Sequence, residues 1–369
     1  MRFAHLHVHT EYSLLDGSNK ITEYVNRVKE LGMDSAAITD HGVMYGVIDF
    51  YRAAKAAGIR PILGCEVYVA PGSMYDKENV GGEDRYYHLV LLAENNTGYS
   101  NLMKIVSKGF TEGYYYKPRV DKEVLETYHE GIIALSACLA GEVAREITRG
   151  RYETAKEAAL SYEKIFGKGN FFLELQDHGI PDQQQVNQAL LRMSQETGIE
   201  LVCTNDVHYT YADDAKAHDI LLCIQTGKKV NDEDRMRYEG GQYYVKSPEE
   251  MAQLFPYALQ ALENTQKIAE RCNVEIEFGV TKLPKYDVPD GYTSWEYLNK
   301  LCWEGLEKRY NPVTQDLKDR LTYELSTIKQ MGYVDYFLIV WDFIHYARSQ
   351  GISVGPGRGS AAGSLVSYT

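Results

Sequence analysis

The sequence predicts an α/β fold built on seven strands and followed by a mainly helical region, and three observations lead there. Seven short β-rich runs recur through the first 230 residues, amphipathic helical patterns separate most of them, and beyond a proline-marked stretch at 283–294 only long helical stripes remain. Alternating strands and helices imply βαβ units and a parallel sheet, closed as a (β/α)7 barrel or left open and doubly wound.

In chain order the strands are expected at 3–9, 35–39, 60–69, 87–93, 131–136, 171–176 and 201–204. Helical patterns lie at 22–31, 44–57, 98–108, 141–149, 152–166 and 182–197, with two more at 248–254 and 257–272. The stretch LPKYDVPDGYTS marks the boundary, which gives a first domain of residues 1–285 and a second of 286–369. There Ser294 is the expected cap of a helix carrying Trp295, Leu298, Leu301, Cys302 and Leu306 on one side. Leu317, Leu321, Leu325 and Ile328 stripe the next helix, a third runs over 336–350, and the sequence ends on GPGRGSAAGSLVSYT, where a Gly-rich turn opens a new element and the chain reads as cut.

Composition removes several classes of function. With 369 residues, 44% apolar and 25% charged, the chain is neither disordered nor fibrous. Its longest apolar run, at 337–341, is far short of the ~20 residues that span a bilayer. The opening MRFAHLHVHT has no basic-then-apolar leader, so a cytoplasmic protein without membrane contact is expected. Six cysteines without a C-x-x-C pair read as reduced thiols, one of them available to a metal. A net charge of -13 opposes nonspecific attraction to phosphate backbones, so any nucleic-acid contact is local.

The chemistry is concentrated at strand ends. His7 and His9 are two apart and leave one face of the first strand, with His5 in the same register. Asp16 follows in the next loop, His41 ends the second strand, and Glu66 lies in the third. His88 opens the fourth, Cys138 follows the fifth, and Asp206 and His208 repeat the two-residue spacing after the seventh. In a parallel barrel the strand C-termini share one rim, so these groups converge, and only His88, at a strand start, fits poorly. Imidazoles, carboxylates and a thiolate together suit Zn²⁺ or Mn²⁺. One H-x-H pair alone is weak evidence, and a lone strand-end histidine is more often structural; the recurrence carries the reading. Cys65 is read as core, His5, His129, His218 and His345 as structural or surface residues, and His178 as lying near the rim.

At these residues the sequence resembles a known family. LHVHTEYSLLDG, ITDHG, GCEVYV, YYHLVLLAEN, ALSACLAGEV and CTNDVHY resemble the successive motifs of the PHP (polymerase and histidinol phosphatase) domain, and in detail the amino-terminal PHP domain of the bacterial replicative DNA polymerase III α-subunit family. The resemblance implies a distorted barrel of the PHP type followed by the beginning of a polymerase palm. It places the family's metal ligands on His7, His9, Asp16, His41, Glu66, His88, Cys138, Asp206 and His208. It implies three divalent ions, zinc first with manganese or iron as alternatives. His7, His9 and Asp206 hold one, His88 and Cys138 a second, and Asp16, His41 and His208 a third, with Glu66 bridging the first two. The expected reaction is phosphoester hydrolysis by a metal-bound hydroxide, with no protein nucleophile, and in a polymerase a 3′→5′ proofreading exonuclease acting on the primer 3′ end. A metal-stabilised docking scaffold without catalysis is the alternative, and a stand-alone phosphatase of the histidinol phosphate type a third.

Two further stretches bear on nucleic acid. In GYYYKPRVDK, Tyr115, Tyr116, Lys117 and Arg119 combine stacking rings with cations, the pattern of single-strand binding, although tyrosines packed on the barrel fit equally well. The string GPGRGSAAGS resembles the opening of the family's palm, which implies that Arg358, Gly359 and Ser360 face the triphosphate of an incoming nucleotide. The palm's aspartates, which hold Mg²⁺, lie beyond this sequence, so no polymerisation is expected from it alone. The partners implied are DNA, the remainder of the α subunit, the sliding clamp and a proofreading subunit.

Overall fold

The computed structural model describes residues 2–78, 85–280, 282–355, 357 and 359–369. It divides into two compact units, Met1–Ile276 and Glu277–Thr369. The division falls ahead of the 285/286 boundary read from the prolines. The last anchors of the first unit are early: Asn273 N donates to Glu94 O at 2.7 Å and Ile276 N to the Tyr51 hydroxyl at 3.2 Å.

The first unit contains strands β1 (Ser35–Ile38), β2 (Arg60–Val69), β3 (Tyr87–Ala93), β4 (Tyr114–Tyr115), β5 (Lys117–Val120), β6 (Ile132–Leu135), β7 (Phe171–Leu175) and β8 (Leu201–Cys203). Helices α1 (Ile21–Glu30), α2 (Val47–Ala57), α3 (Asn96–Thr111), α4 (Lys122–Thr127), α5 (Glu142–Thr148), α6 (Tyr152–Phe166), α7 (Pro181–Thr197), α8 (Ala215–Thr226), α9 (Pro248–Leu254) and α10 (Leu259–Arg271) accompany them. The principal sheet runs β1-β2-β3-β6-β7-β8, with the small β4–β5 hairpin attached to the far half of β2.

Two departures from a regular parallel barrel matter for the site. First, β3 runs antiparallel to both β2 and β6, pairing His88 with Tyr68 and Val90 with Leu135. Parallel neighbours need a crossover, usually helical, and no amphipathic pattern lies between 70 and 86, so this pair reverses direction. Second, residues 3–9 form no continuous strand. His5 bridges Ala36 in β1, whereas Val8 bridges Val207 beyond β8, so the segment changes partner midway and bends at His7. Its backbone nevertheless joins both edges of the sheet, with Thr39 N donating to Val8 O at 2.9 Å and His9 N to Val207 O at 2.7 Å. The result is a distorted barrel of seven extended segments.

Inward-facing rows explain where chemistry can sit. Ala4, Leu6, Ala37, Ile62, Val90, Leu92, Ile133, Leu135, Phe172 and Val202 fill one end of the barrel, closed by Ile268 and Ala269 of α10 and by Cys272 just after it. Two or four residues further along the same faces, the rows turn polar: Ile62 leads to Glu66, Val90 to His88, Phe172 to Glu174 and Val202 to Thr204. The opposite faces pack Ile38, Leu63, Leu91, Leu173 and Cys203 beneath the helices.

In the second unit, α11 (Ser294–Arg309), α12 (Gln315–Gln330), α13 (Val334–Ser349) and α14 (Leu365–Tyr368) surround Leu298, Cys302, Leu306, Leu321, Leu325 and Leu338. The helical stripes fall where the sequence put them, but Thr293, not Ser294, caps α11, sharing a capping box with Glu296. Among the described residues no helix is long and apolar enough to cross a membrane.

Candidate metal centre

The polar ends of the inward rows meet nine side chains at one rim. Glu66, buried in β2, lies at the middle, its Oε1 3.2 Å from His7 Nε2 and 2.9 Å from His88 Nδ1, and its Oε2 3.8 Å from His9 Nε2. His41 Nδ1 also bonds Glu66 Oε2. Asp206 Oδ1 stands 3.2 Å from both His7 Nε2 and His9 Nε2. Cys138 Sγ approaches His88 Nδ1 at 3.8 Å and Glu66 Oε1 at 4.0 Å. On the third side, Asp16 Oδ2 lies 3.0 Å from His41 Nε2, and Asp16 Oδ1 3.9 Å from His208 Nε2. His88 joins the group because β3 is reversed: the start of an antiparallel strand shares the rim with the ends of the parallel ones. His5 does not join. The bend at His7 breaks the alternation, and His5 Nε2 bonds Lys246 O at 2.8 Å instead.

The arrangement fits cations. Among the described residues, His7 Nε2, His9 Nε2, His41 Nε2 and Asp206 Oδ1 are buried, converge, and make no hydrogen bond. Leaving such groups unsatisfied costs about 1–3 kcal/mol each, which a bound cation removes. The donor atoms of His7, His9 and Glu66 lie within 4.8 Å of one another, as do those of His41, Glu66 and His88, and those of His9, His41 and His208. Burial alone would raise the Glu66 carboxyl, but the neighbouring His88 and His41 imidazoles outweigh it and hold the group well below its usual range. Burial, with the charges of His41 and His208, pushes His9 down to about 3, which keeps its nitrogen neutral and able to ligate. Burial, with the charges of Asp206 and Glu66, pushes the Cys138 thiol up; a divalent ion beside it reverses that preference.

The backbone is strained where these groups enter. Leu15, immediately before Asp16, Ala137, immediately before Cys138, and Asp206 itself all have left-handed φ, at 62°, 63° and 45°. Such conformations cost roughly 1–3 kcal/mol each and persist when the surroundings demand them. After His41, Gly42 is left-handed too, and a Cβ there would stand 2.8 Å from the Tyr68 ring.

A supporting layer orients the donors. Glu174 Oε1 lies 2.7 Å from His7 Nδ1, steadied by Gln176 Nε2 at 3.0 Å and by a short bond from the Thr204 hydroxyl. Ser13 Oγ meets His9 Nδ1 at 3.2 Å and donates to Asp40 at 2.7 Å. His208 Nδ1 bonds Asp206 O at 2.7 Å, and Tyr238 Oη reaches both Asp16 Oδ1 at 3.3 Å and His208 Nε2 at 3.2 Å. The reading of the sequence missed Glu174, although a lone acid in the apolar strand FFLEL was a signal; Tyr238, in a polar loop, gave none. Replacing Glu174 by Gln is expected to weaken metal affinity about 10- to 100-fold, the usual effect of losing a histidine's carboxylate partner, and titration of chelated protein with Zn²⁺ measures it. His178, expected near the rim, is held outside the cluster, its Nε2 on Asn205 O at 2.9 Å.

The four candidate DNA contacts separate on inspection. Tyr116, at the turn of the β4–β5 hairpin, is 59% exposed with the Arg85 guanidinium 4.2 Å from its ring. Lys117 Nζ lies 5.3 Å from the Tyr68 ring, itself 6.3 Å from His41, so Lys117 flanks the centre. Tyr115 is half-buried beneath Arg119. Arg119 is buried and donates to the carbonyls of Gly113, Arg85, Met74 and Asp76, which occupies four of its five N–H donors and keeps the guanidinium away from a phosphate in solvent. The expectation for Arg119 is thereby corrected to a structural clamp. Arg119→Ala is expected to cost about 3 kcal/mol or more in urea unfolding, because it orphans several carbonyls. In the second unit, Gly359 and Ser360 are exposed in a 3₁₀ turn, Gly359–Gly363, and Arg358 lies outside the described residues.

The chain is similar to known proteins along its whole length. Residues 5–178 match the PHP domain model, and residues 296–369 match that of the bacterial DNA polymerase III alpha NTPase domain. Relatives named DNA polymerase III subunit alpha include those of Borreliella burgdorferi, 49% identical, and Treponema pallidum, 47% identical, each matched across 100% of this chain and 32% of its own length. The chain therefore spans about a third of the relatives it matches. Among solved structures, a two-domain protein from Bacteroides vulgatus, titled as containing a predicted PHP-like metal-dependent phosphoesterase, aligns at 12% identity with a TM-score of 0.36, over 76% of this chain and 72% of that one. At that level the fold rests on the strand pairings above and not on the match. Identity of nearly one residue in two along the whole of this chain, together with the two domain models, shows that the chain belongs to the bacterial DNA polymerase III α-subunit family.

Proposed function

We propose that the first unit is a metal-dependent phosphodiesterase that removes nucleotides from the 3′ end of a primer, a 3′→5′ proofreading exonuclease, within a protein that replicates DNA. The observation that carries it is the meeting of four buried, hydrogen-bond-free donor atoms, on His7, His9, His41 and Asp206, around a carboxylate that touches three imidazoles. His7, His9 and Asp206 would hold one ion, His88 and Cys138 a second, and Asp16, His41 and His208 a third, with Glu66 shared by the first two. Zinc suits this donor set best, with manganese or iron as substitutes. When bound, adjacent divalent ions supply Lewis acidity toward a phosphoryl oxygen and bring a water's pKa near neutrality.

The chain's own residues do the remainder. Glu174, Ser13 and the Asp206 carbonyl fix which nitrogen each of His7, His9 and His208 presents. Tyr116 offers a face for a terminal base, and Lys117 a charge for its phosphate. Family membership makes the primer end the natural substrate, the cytoplasm the location, and the sliding clamp and a proofreading subunit the neighbours. In the second unit the Gly359–Ser360 turn, with Arg358, receives the phosphates of an incoming nucleotide, whose Mg²⁺ is held elsewhere in the polymerase.

A scaffold reading has one observation in its favour: His7 and His9 sit on the segment that joins both edges of the sheet, so ions there also staple the barrel shut. Release of mononucleotides from a mismatched 3′ end, with and without chelator, separates the two. Turnover that chelation abolishes supports hydrolysis, and three bound ions without turnover on any DNA end support the scaffold.

A further inference from the structure

We infer that Tyr238 is a tenth donor of the centre, its hydroxyl oxygen binding the same ion as Asp16, His41 and His208. The inference rests on the metal-dependent reading above and adds a residue to it.

Distances between donors carry the argument. Atoms sharing one zinc at about 2.0–2.1 Å stand about 3.3 Å apart along a tetrahedral edge. Tyr238 Oη is 3.2 Å from His208 Nε2 and 3.3 Å from Asp16 Oδ1, while Asp16 Oδ2 is 3.0 Å from His41 Nε2. These are the spacings of one coordination shell.

A hydrogen bond from the phenol to His208 meets an obstacle. His208 Nδ1 already bonds Asp206 O, so Nε2 is the nitrogen left to ligate, and it is the one Tyr238 contacts. An ion on Nε2 displaces that hydrogen bond, leaving the phenol oxygen beside the ion. The ring cannot easily withdraw. It packs edge-on against His208 at 4.7 Å and lies 4.7 Å from Tyr243 and 5.0 Å from His218, whose Nε2 bonds Asp16 O at 2.8 Å. The loop carrying it is tied to α8 by a two-pronged Arg235–Asp219 pair at 2.6 and 2.7 Å.

The test uses chelated protein, titrated with Zn²⁺ and counted by mass spectrometry of the metal, and a parallel sample loaded with Fe³⁺. Wild type is expected to take three ions and, with iron, to show the visible charge-transfer band of a phenolate ligand, the phenol proton having gone to solvent. Tyr238→Phe keeps the ring and is expected to hold the third ion about tenfold or more weakly and to lose the band. The inference is overturned if ferric wild type shows no such band, a result that needs no variant. It is equally overturned if Tyr238→Phe binds all three ions with unchanged constants. Wild type that takes up no ions sinks the metal reading itself, and this inference with it.

Discussion

Asp206→Asn is expected to lower the release of mononucleotides from a mismatched 3′ end by about 10³-fold or more, an increase of ~4 kcal/mol in the barrier. Asp206 Oδ1 stands 3.2 Å from two imidazole nitrogens and makes no hydrogen bond, so on the proposed reading it would give a bound ion a charge and a lone pair. Burial would raise this carboxyl, yet His7 and His208 hold it below the usual range, so it is anionic at neutral pH. Asparagine removes the charge at nearly constant shape. It also tolerates the left-handed φ of 45° at this position as readily as aspartate, so the backbone and barrel are expected to survive. Circular dichroism of the variant should match wild type. Activity that persists in Asp206→Asn and resists chelation would identify a contaminating nuclease and remove the catalytic reading.

Chelation is expected to lower the melting temperature of the first unit by roughly 10 °C. A ligand bound only by the folded state, at about 1,000 times its dissociation constant, stabilises by ~4 kcal/mol. For a domain of this size each 1 kcal/mol moves the midpoint by about 2–4 °C. Two features of the site act in this direction. The buried atoms on His7, His9, His41 and Asp206 lose their partner, and the left-handed residues at 15, 137 and 206 lose the ion that compensates their strain. Differential scanning calorimetry before and after chelation, with zinc restored as a control, measures the shift. A midpoint indifferent to chelator would mean that no ion contributes to this rim. The shift is expected under the catalytic and scaffold readings alike, so it tests the centre and not the chemistry.

Much of the candidate site was legible because most of its donors lie in or just after extended segments recognisable from their own composition. β2 and β3 have the predicted bounds, 60–69 and 87–93, since both are apolar runs flanked by polar loops. Two features were hidden for one reason, in that pairing partners are not encoded in the periodicity of a single strand. Antiparallel β3 could not be seen from its own residues, and His88 was for that reason an apparent misfit. The partner change within 3–9 breaks the two-residue alternation at His7, so His5, which shares a register with His7 and His9 in the sequence and is read there as structural, faces Lys246. Arg119 misled in another way: a cation among tyrosines reads as a phosphate contact until four carbonyls are found around it. Glu174 and Tyr238 show the limit on supporting residues, which come from an interior strand and a remote loop and meet the donors only in the folded chain.

The central claim is that these scattered side chains gather several cations at one end of the barrel. Anomalous diffraction from crystals grown with zinc, collected on both sides of its absorption edge, tests it directly. Three peaks are expected, with neighbours ~3.5–4 Å apart, enclosed by His7, Asp16, Glu66, Cys138 and Asp206. Data of adequate strength showing zinc elsewhere on the protein, and none between Glu66 and Asp206, would contradict it.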